Sequence, residues 1–406
     1  MRVLFVATAG AHLPWITPLS WACQVAGHEV LVASRPAATA FLTAAGLTVA
    51  PVGDEDAIRT AQAAHRGLAS TGGPRRLASG WVSKPERLDR DTRRLLGTRQ
   101  ITSADAMTDD LVALARAWRP DVVVYDTVAL AGLVTAAALK VPAFGHTWGF
   151  SFGFDFERDE DLREPFAGLF ERFGVEPRFA PDAWIDPCPQ TLRSPHPVPW
   201  APMRLVPYNG PLVLPEWLLE RPERPRVCVT GGVTTTALTG LLGRLAEGVL
   251  RAGAEPVLTV AGHHDVSPAD LPDGVRLLSA FPMSTLLPSC DAVIHHGGVG
   301  TGMISAVTGL PQLVVPHTAI QDHWAERITE VGAGLTLDVP DGPDGPDADA
   351  VAEAVTALLT VPGHRASAAR LRDENAAMPA PARLVGLLER AAAEGGVAGS
   401  ELVVRP

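Results

Sequence analysis

The sequence lacks the features of several well-known protein classes. It has no excess of positive charge, because the formal net charge is −11, whereas surfaces that bind nucleic acid or anionic membranes need clustered Lys and Arg. No stretch approaches the roughly 18 consecutive apolar residues of a membrane-spanning helix. We therefore expect neither nucleic acid nor a membrane as a partner.

Cysteine is also scarce. The four cysteines lie far apart and form no CxxC pair, and three of them sit in or beside apolar segments, where buried thiols are common. The apolar run at residues 3–7 is shorter than the core of about 7 to 15 residues that a signal peptide needs. The sequence thus predicts a reduced, cytoplasmic protein.

Two common nucleotide-binding motifs are missing as well. Neither "TAGAHLP", after the first apolar run, nor "HHGGVGTGM", near residue 300, has the GxGxxG spacing of a nicotinamide site, and no GxxxxGK[ST] motif occurs. Dehydrogenase and kinase functions are therefore disfavoured.

Short apolar runs alternate with stretches of helical spacing along the chain. "RVLFV" precedes a helical stretch at 16–26 and a second apolar run at 30–33, and this order recurs at "PDVVVYD" and from "RPRVCVTGG" through "QLVVP". Continuous apolar strands that alternate with helices are typical of parallel sheets covered on both faces. Since 406 residues exceed the usual domain of roughly 100 to 200, the sequence predicts an α/β protein with two doubly wound halves.

Two segments interrupt this alternation. Residues 194–225 contain nine prolines, which disfavour helices and central strands, so we predict an extended linker there. Residues 65–100 are rich in Arg and have no sustained period. The pattern predicts a long loop.

A cluster of histidine and glycine lies in "DAVIHHGGVGTGMISAVTG", residues 291–309. The order is strand, Gly-rich turn and helix, and ligands of open α/β sheets bind beyond the carboxyl ends of strands. Glycine permits close approach of the backbone, and the N–H groups that begin a helix favour an anion. His296 and Thr301 can donate hydrogen bonds to the same anion. The pattern indicates a diphosphate site, and a tight connection with an ordinary histidine is the alternative.

These residues closely resemble the actinomycete antibiotic glycosyltransferases, nucleotide-sugar enzymes of the GT-B fold in the UDP-glucuronosyltransferase superfamily. The resemblance covers nearly the whole chain and rests on "HHGGVGT" with "GLPQLVVP", "MRLVPYNGP" with "PEWL", and "MRVLFVATAGAH" with "TPLSWACQVAGHEV". It implies two Rossmann-like doubly wound domains facing an interdomain cleft. The expected division is an acceptor-binding domain at 1–205, a linker at 206–225, a nucleotide-sugar-binding domain at 226–385 and a C-terminal helix or tail at 386–406.

Members of this family transfer a sugar, often a deoxysugar carried by dTDP, to a hydroxyl of a polyketide-like aglycone with inversion and without a metal. The resemblance implies the same activity here, with a dTDP-deoxysugar as donor substrate, an aromatic or polyketide aglycone as acceptor and no further cofactor. A catalytically idle homologue that assists another transferase is the alternative, and an epimerase of this fold is a weaker one. A homodimer and an activator protein are left open.

The resemblance assigns catalysis to two residues of the first half. His12 matches the general base of the family, because it lies in the loop after the first strand, and a neutral histidine can take the proton of an attacking hydroxyl. Without the family, a lone histidine in a loop is more often a surface residue. Asp126, which ends "VVVYD", matches the acidic residue that orients the base, and capping the next helix is its alternative role.

Donor binding is assigned to the second half. The expected nucleotide-diphosphate ligands are Gly232, Val233, Thr234, Phe281, His296, Gly297, Gly298, Gly300 and Thr301. Phe281 stands beside Ala280, which takes the place of the family's base-stacking aromatic, and Val233 replaces a small Ser or Thr.

The sugar-binding positions depart from the family pattern. The Asp–Gln pair that binds sugar hydroxyls in many relatives aligns with Ile320 and Gln321, and Asp322 comes one place later. An Ile at the Asp position suits a less hydroxylated deoxysugar.

Aromatic residues are scarce after residue 220. Eight of nine Trp, both Tyr and eleven of twelve Phe precede it. If "GFSFGFDF" is extended, its four Phe side chains share one face, which suits a flat apolar ligand, and packing in the core is the alternative. The predicted acceptor-binding residues are Trp15, His146, Trp148, Phe150, Phe152 and Phe154.

Overall fold

The computed structural model describes residues 1–8, 10–63, 90–149, 156–193, 198–232, 239–261, 266–317, 319–338, 345–397 and 399–405. The chain forms two compact units. Unit 1 contains Met1–Cys188, Ser194–Gly210 and Met378–Pro406, and unit 2 contains Pro189–Arg193 and Pro211–Ala377. The linear domain bounds given above stay a prediction.

Unit 1 is built on a parallel sheet. Its strands are β1 (Arg2–Val6), β2 (Glu29–Ser34), β3 (Val49–Pro51), β4 (Val122–Asp126), β5 (Ala143–His146), β6 (Ala183–Asp186) and β7 (Trp200–Pro202). They lie in the order β3-β2-β1-β4-β5-β6-β7. Its helices before the linker are α1 (Leu13–Val25), α2 (Thr39–Ala44), α3 (Glu55–Ala63), α4 (Arg90–Trp118), α5 (Ala131–Leu139) and α6 (Arg163–Glu171).

Unit 2 repeats this plan. Its strands are β8 (Arg226–Thr230), β9 (Glu255–Val260), β10 (Arg276–Ser279), β11 (Ala292–His295), β12 (Gln312–Val314) and β13 (Gly334–Thr336), in the order β10-β9-β8-β11-β12-β13. Its helices are α7 (Leu242–Arg251), α8 (Met283–Leu286), α9 (Val299–Thr308), α10 (Ala319–Glu330), α11 (Ala348–Thr360) and α12 (Pro362–Ala377).

The unbroken apolar strands are buried on both faces. Along β1, Val3 and Phe5 join one hydrophobic cluster, and Leu4 and Val6 join another. Along β8, Val227 and Val229 likewise join one hydrophobic cluster, and Cys228 joins another. Successive side chains of a strand point to opposite faces, so a strand between two layers of helices must be apolar at every position. The prediction of two doubly wound α/β halves is therefore confirmed.

The strand order reverses once in each sheet. The reversal lies between β1 and β4 in unit 1 and between β8 and β11 in unit 2. Where the order reverses, the connections leave the carboxyl ends of the two strands in opposite directions, and a crevice opens between them. We call this place the switch point of the unit, and each unit therefore has one switch point where a ligand can bind.

The last helix, α13 (Pro381–Glu394), packs in unit 1. Leu384, Leu387 and Leu388 are fully buried in the hydrophobic cluster that also contains Val3 and Phe5 of β1. The chain thus returns to its first unit after completing the second.

Two sequence expectations about connections are corrected. Residues 90–100, predicted as loop, form the start of α4, because Leu96, Gln100 and Ala104 recur at helical spacing and are buried. Within the Pro-rich segment, β7 pairs with β6. It lies at the edge of the sheet, where proline does not remove a ladder hydrogen bond.

Candidate functional site

The switch point of unit 1 holds a histidine–carboxylate pair. His12 lies between β1 and α1, and Asp126 is the last residue of β4, the strand beside β1. The Nδ1 atom of His12 is 2.9 Å from Oδ2 and 3.1 Å from Oδ1 of Asp126. A carboxylate can only accept, so Nδ1 carries the proton, and Nε2 is the proton-accepting nitrogen of the neutral ring. This arrangement is typical of a general base with its orienting acid.

Two more side chains border this pair. The indole N–H of Trp148 donates to the Thr127 hydroxyl at 2.9 Å, and that hydroxyl donates to Oδ1 of Asp126 at 3.3 Å. The indole ring of Trp148 also contacts the His12 imidazole, with ring centroids 4.7 Å apart. The sequence reasoning placed Trp148 among the acceptor ligands and did not identify Thr127.

His146 ends β5, directly beside Asp126 in the sheet register. It is 1% exposed, and its Nδ1 donates to the Thr147 carbonyl at 2.6 Å. Burial lowers the pKa of His146 from 6.5 to about 4, so the ring is neutral. Within the described residues, its Nε2 has no hydrogen-bond partner.

The other predicted acceptor residues are less fully described. Trp15 is buried in the first turn of α1. Phe150, Phe152 and Phe154 lie outside the described residues, so their assignment stays a prediction. Phe156, the last aromatic of the same stretch, is 4% exposed and packs on Phe166 with ring centroids 4.7 Å apart. For Phe156, packing in the core is the observed role.

The switch point of unit 2 holds the Gly-rich turn between β11 and α9. Gly297 has a φ of +87°, which favours glycine, and a Cβ built on it would lie 2.9 Å from the Gln321 carbonyl oxygen. Gly298 is the N-cap residue of α9. The N–H groups of the first helical turn have no intrahelical partner and carry the positive end of the helix dipole, so this turn suits an anion.

Glycines also make room for the His296 ring. His296 is 3% exposed, and a Cβ built on either Gly232 or Gly298 would overlap its imidazole. Gly232 follows β8, so residues from both strands of the switch point meet here. Gly300 differs, because a Cβ there would meet no atom of the described residues within 4 Å. Thr301 is half-buried in the same helical turn.

A buried network that the sequence reasoning missed supports this turn. His295 accepts from the N–H of Gly297 at Nδ1 (3.1 Å) and contacts Oε1 of Gln312 through Nε2 (3.0 Å). The Trp324 indole N–H donates to the same oxygen, and the Gln312 amide donates to the Gly302 carbonyl. Burial lowers the pKa of His295 to about 4, so the ring is neutral with its proton on Nε2. A lone Gln in the apolar run "PQLVVP" was the available signal.

The remaining donor-side residues lie around this turn. The side chain of Gln321 is buried, and its Oε1 accepts from the His317 N–H at 2.6 Å. Asp322 lies in the first turn of α10, which also contains Ile320. Phe281 is half-buried, with its ring centroid 6.3 Å from that of Trp217. Val233 and Thr234 lie outside the described residues.

The described ranges lack two further features. No described helix combines the length and the apolar character needed to cross a bilayer. No group of three or more His, Cys, Asp or Glu side chains in these ranges could hold a metal ion.

Both halves of the chain match models of one protein family. Residues 21–232 match the N-terminal domain, and residues 244–391 the C-terminal domain, of the erythromycin biosynthesis protein CIII-like family. The two matches together span most of the sequence.

Individual relatives agree with this match. The chain is 34% identical to the 3-alpha-mycarosylerythronolide B desosaminyl transferase of Saccharopolyspora erythraea, over 97% of this chain and 99% of the relative. The glycosyltransferase VinC, solved with dTDP, is 31% identical with a TM-score of 0.80, over 97% and 100% of the two chains. The spinosyn rhamnosyltransferase SpnG, solved with spinosyn aglycone, is 31% identical with a TM-score of 0.76, over 96% and 100%. The chain therefore belongs to the erythromycin biosynthesis protein CIII-like family and is a glycosyltransferase of the GT-B fold.

Proposed function

We propose that the protein transfers a deoxysugar from dTDP to a hydroxyl of a polyketide or aromatic aglycone, with inversion at the anomeric carbon. The observation that carries this proposal is the His12–Asp126 pair at the carboxyl ends of β1 and β4. The relatives support the substrate classes, because one is a desosaminyl transferase and others were solved with dTDP and with spinosyn aglycone.

The chemical step is a single displacement. Nε2 of His12 takes the proton of the acceptor hydroxyl while its oxygen forms a bond to the anomeric carbon. The bond from that carbon to the diphosphate oxygen breaks, and the nucleoside diphosphate leaves with the electron pair. Attack from the face opposite the leaving group inverts the configuration. Asp126 holds the imidazole in the required tautomer and stabilises the imidazolium that forms.

The leaving diphosphate is assigned to the N-terminus of α9. Its charge is stabilised by the helix N–H groups, by the Thr301 hydroxyl and by His296. Gln321 offers its NH₂ group to a sugar hydroxyl, because its carbonyl oxygen accepts from His317. These groups are hydrogen-bond donors rather than metal-binding carboxylates, and the proposed reaction uses no metal. The acceptor is assigned to unit 1.

The test is a transfer assay with purified protein, dTDP-deoxysugars and a panel of macrolide and aromatic aglycones. Mass spectrometry identifies the product, and NMR of the anomeric proton reports the configuration. We expect His12→Ala to lower turnover by a factor on the order of 100 to 10,000, which is the range for loss of a general base. Calorimetry should show nearly unchanged dTDP affinity.

His28→Gln is the matched control, because His28 contacts Glu389 and the chain N-terminus rather than Asp126. Its turnover should equal that of the unmodified protein. Full turnover in His12→Ala would remove this residue from the mechanism. Binding of dTDP without transfer to any acceptor would instead favour the idle homologue.

A further inference from the structure

We propose that Thr127 and Trp148 are positioning residues that fix the His12–Asp126 pair, an inference that rests on the proposed role of His12 as the base. The first observation is a chain of hydrogen bonds. The Trp148 indole donates to Thr127, Thr127 donates to Asp126, and Asp126 accepts from His12. Each side chain therefore sets the direction of the next one.

The second observation is that Trp148 contacts the pair at both ends. Its indole N–H reaches Asp126 through Thr127, and its ring lies against the His12 imidazole at a centroid distance of 4.7 Å and an interplanar angle of 31°. The imidazole is thereby held between a carboxylate at its edge and an aromatic ring at its face. Rotation of His12 about its side-chain bonds would break one contact or the other.

The third observation is that Thr127 and Trp148 are fixed to the sheet. Thr127 donates its backbone N–H to the His146 carbonyl at 3.2 Å. Thr147, next to Trp148, donates its N–H to the Ile185 carbonyl at 2.9 Å and its hydroxyl to buried Asp186 at 3.1 Å. Thr127 is 3% exposed and Trp148 is 7% exposed. Both side chains are therefore buried, and hydrogen bonds to the sheet hold the backbone at Thr127 and beside Trp148.

This arrangement has a consequence for the reaction. Proton transfer requires Nε2 to point at the acceptor hydroxyl within hydrogen-bond distance, and small errors in orientation lower the rate strongly. The Thr127–Trp148 contact removes freedom of the pair before the substrate binds. Because one face of Trp148 is occupied by His12, this residue acts through the base, and its predicted contact with the acceptor stays a prediction.

The test compares Thr127→Val with Thr127→Ser. Val keeps the shape and removes the hydroxyl, so we expect turnover to fall about 10-fold, as for loss of a hydrogen bond to a charged group, with KM for both substrates little changed. Ser restores the hydroxyl and should recover most of the turnover. Trp148→Phe keeps an aromatic ring but removes the N–H, and we expect a smaller loss of about 3-fold.

The controls are Thr135→Val and Trp21→Phe in unit 1. The Thr135 hydroxyl donates to the Ala131 carbonyl, and the Trp21 indole N–H donates to the Ala45 carbonyl. Both should keep full turnover. Thermal midpoints of all variants show whether each fold is intact. If Thr127→Val does not fold, Trp148→Phe carries the test alone, and unchanged turnover there overturns the proposal.

A double-mutant cycle separates positioning from direct binding. In the His12→Ala background, Thr127→Val should cause no further loss of turnover, because there is no imidazole to position. A further 10-fold loss would overturn the positioning role while leaving the base assignment intact. Normal turnover in Thr127→Val and Trp148→Phe, together with an inactive His12→Ala, would also overturn this inference alone. Full turnover in His12→Ala would overturn both proposals.

Discussion

The two switch points are built on the same backbone plan but carry different chemistry. In unit 1, His12 follows β1 and Asp126 ends β4, and their side chains are hydrogen-bonded. In unit 2, Gly232 follows β8 and His296 follows β11, and Gly232 contributes no side chain. The first switch point thus brings ionisable and polar side chains together. At the second switch point, glycines leave space beside the backbone.

One topology can therefore serve two parts of a single reaction. A base must lie at one position and in one tautomer, so it needs side chains that hold one another. A diphosphate carries charge on several oxygens, so it is better met by N–H groups of a helix start, with glycines that let the anion approach. We expect variants of unit 1 to change turnover and variants of unit 2 to change nucleotide affinity.

The largest effect is expected for Asp126→Asn. The Asn amide can donate to His12 and so favour the wrong tautomer, and turnover should fall on the order of 1,000-fold with dTDP affinity unchanged. Steady-state kinetics and calorimetry measure both quantities. Asp121→Asn is the control at the opposite end of β4, where Asp121 accepts from the Arg2 N–H. Loss of dTDP affinity in Asp126→Asn would contradict the division between the two units.

Acid should destabilise both units through their buried histidines. His146 and His295 have pKa values lowered from 6.5 to about 4. Between these values the unfolded chain binds protons that the folded chain does not, so stability falls as the pH drops from about 6.5 to 4, by up to about 3 kcal/mol for each residue.

Thermal midpoints between pH 7.5 and pH 4.5 measure this effect. His146→Gln and His295→Gln should each show a weaker fall of the midpoint with acid than the unmodified protein does, even where their midpoints at neutral pH are lower. If both variants kept the pH dependence of the unmodified protein, neither histidine would be responsible for the loss of stability in acid.

Gly298→Ala should weaken dTDP binding by about 10-fold or more. The added Cβ overlaps the His296 ring, which must then move away from its place beside the start of α9. Because Gly298 has a φ of −63°, Ala adds no backbone strain there. Calorimetry with dTDP measures the loss, and turnover at saturating donor should change much less. Unchanged affinity would argue against His296 as a diphosphate ligand.

Gly300→Ala should have the smallest effect, and it should change the thermal midpoint and the dTDP affinity in opposite directions. A Cβ at this position meets no atom of the described residues within 4 Å, and Ala favours a helix over Gly by up to about 1 kcal/mol, so the thermal midpoint should rise. If the diphosphate approaches the backbone here, dTDP affinity should nevertheless fall several-fold. A higher midpoint with full affinity would place the anion elsewhere.

Much of the fold was predictable because it depends on local patterns. The apolar runs of β1, β4, β8 and β11 are buried on both faces, and burial of that kind requires an unbroken apolar sequence. The loop prediction failed at 90–100, where Leu96 and Gln100 continue the helical period among exposed charged residues. Strand β7 was missed because it has only three residues and lies among prolines.

The candidate site was predictable only in part. His296 and the glycines could be found because they are contiguous and follow a strand. The partners of the turn could not, since Gln312 and Trp324 reach His295 and Gly302 from other elements. The His12–Asp126 contact joins residues 114 positions apart, so no local sequence pattern records it.

Neighbouring residues are enough to predict the alternation of strands and helices, the two-sided burial of the central strands and the Gly-rich start of α9. The tertiary structure specifies which side chains meet across elements. It brought Trp148 and Thr127 to the His12–Asp126 pair, and it returned α13 to unit 1. Contacts of this kind depend on how strands are ordered and how apolar faces pack. A periodic sequence pattern records that a face is buried, but it does not record which element covers it.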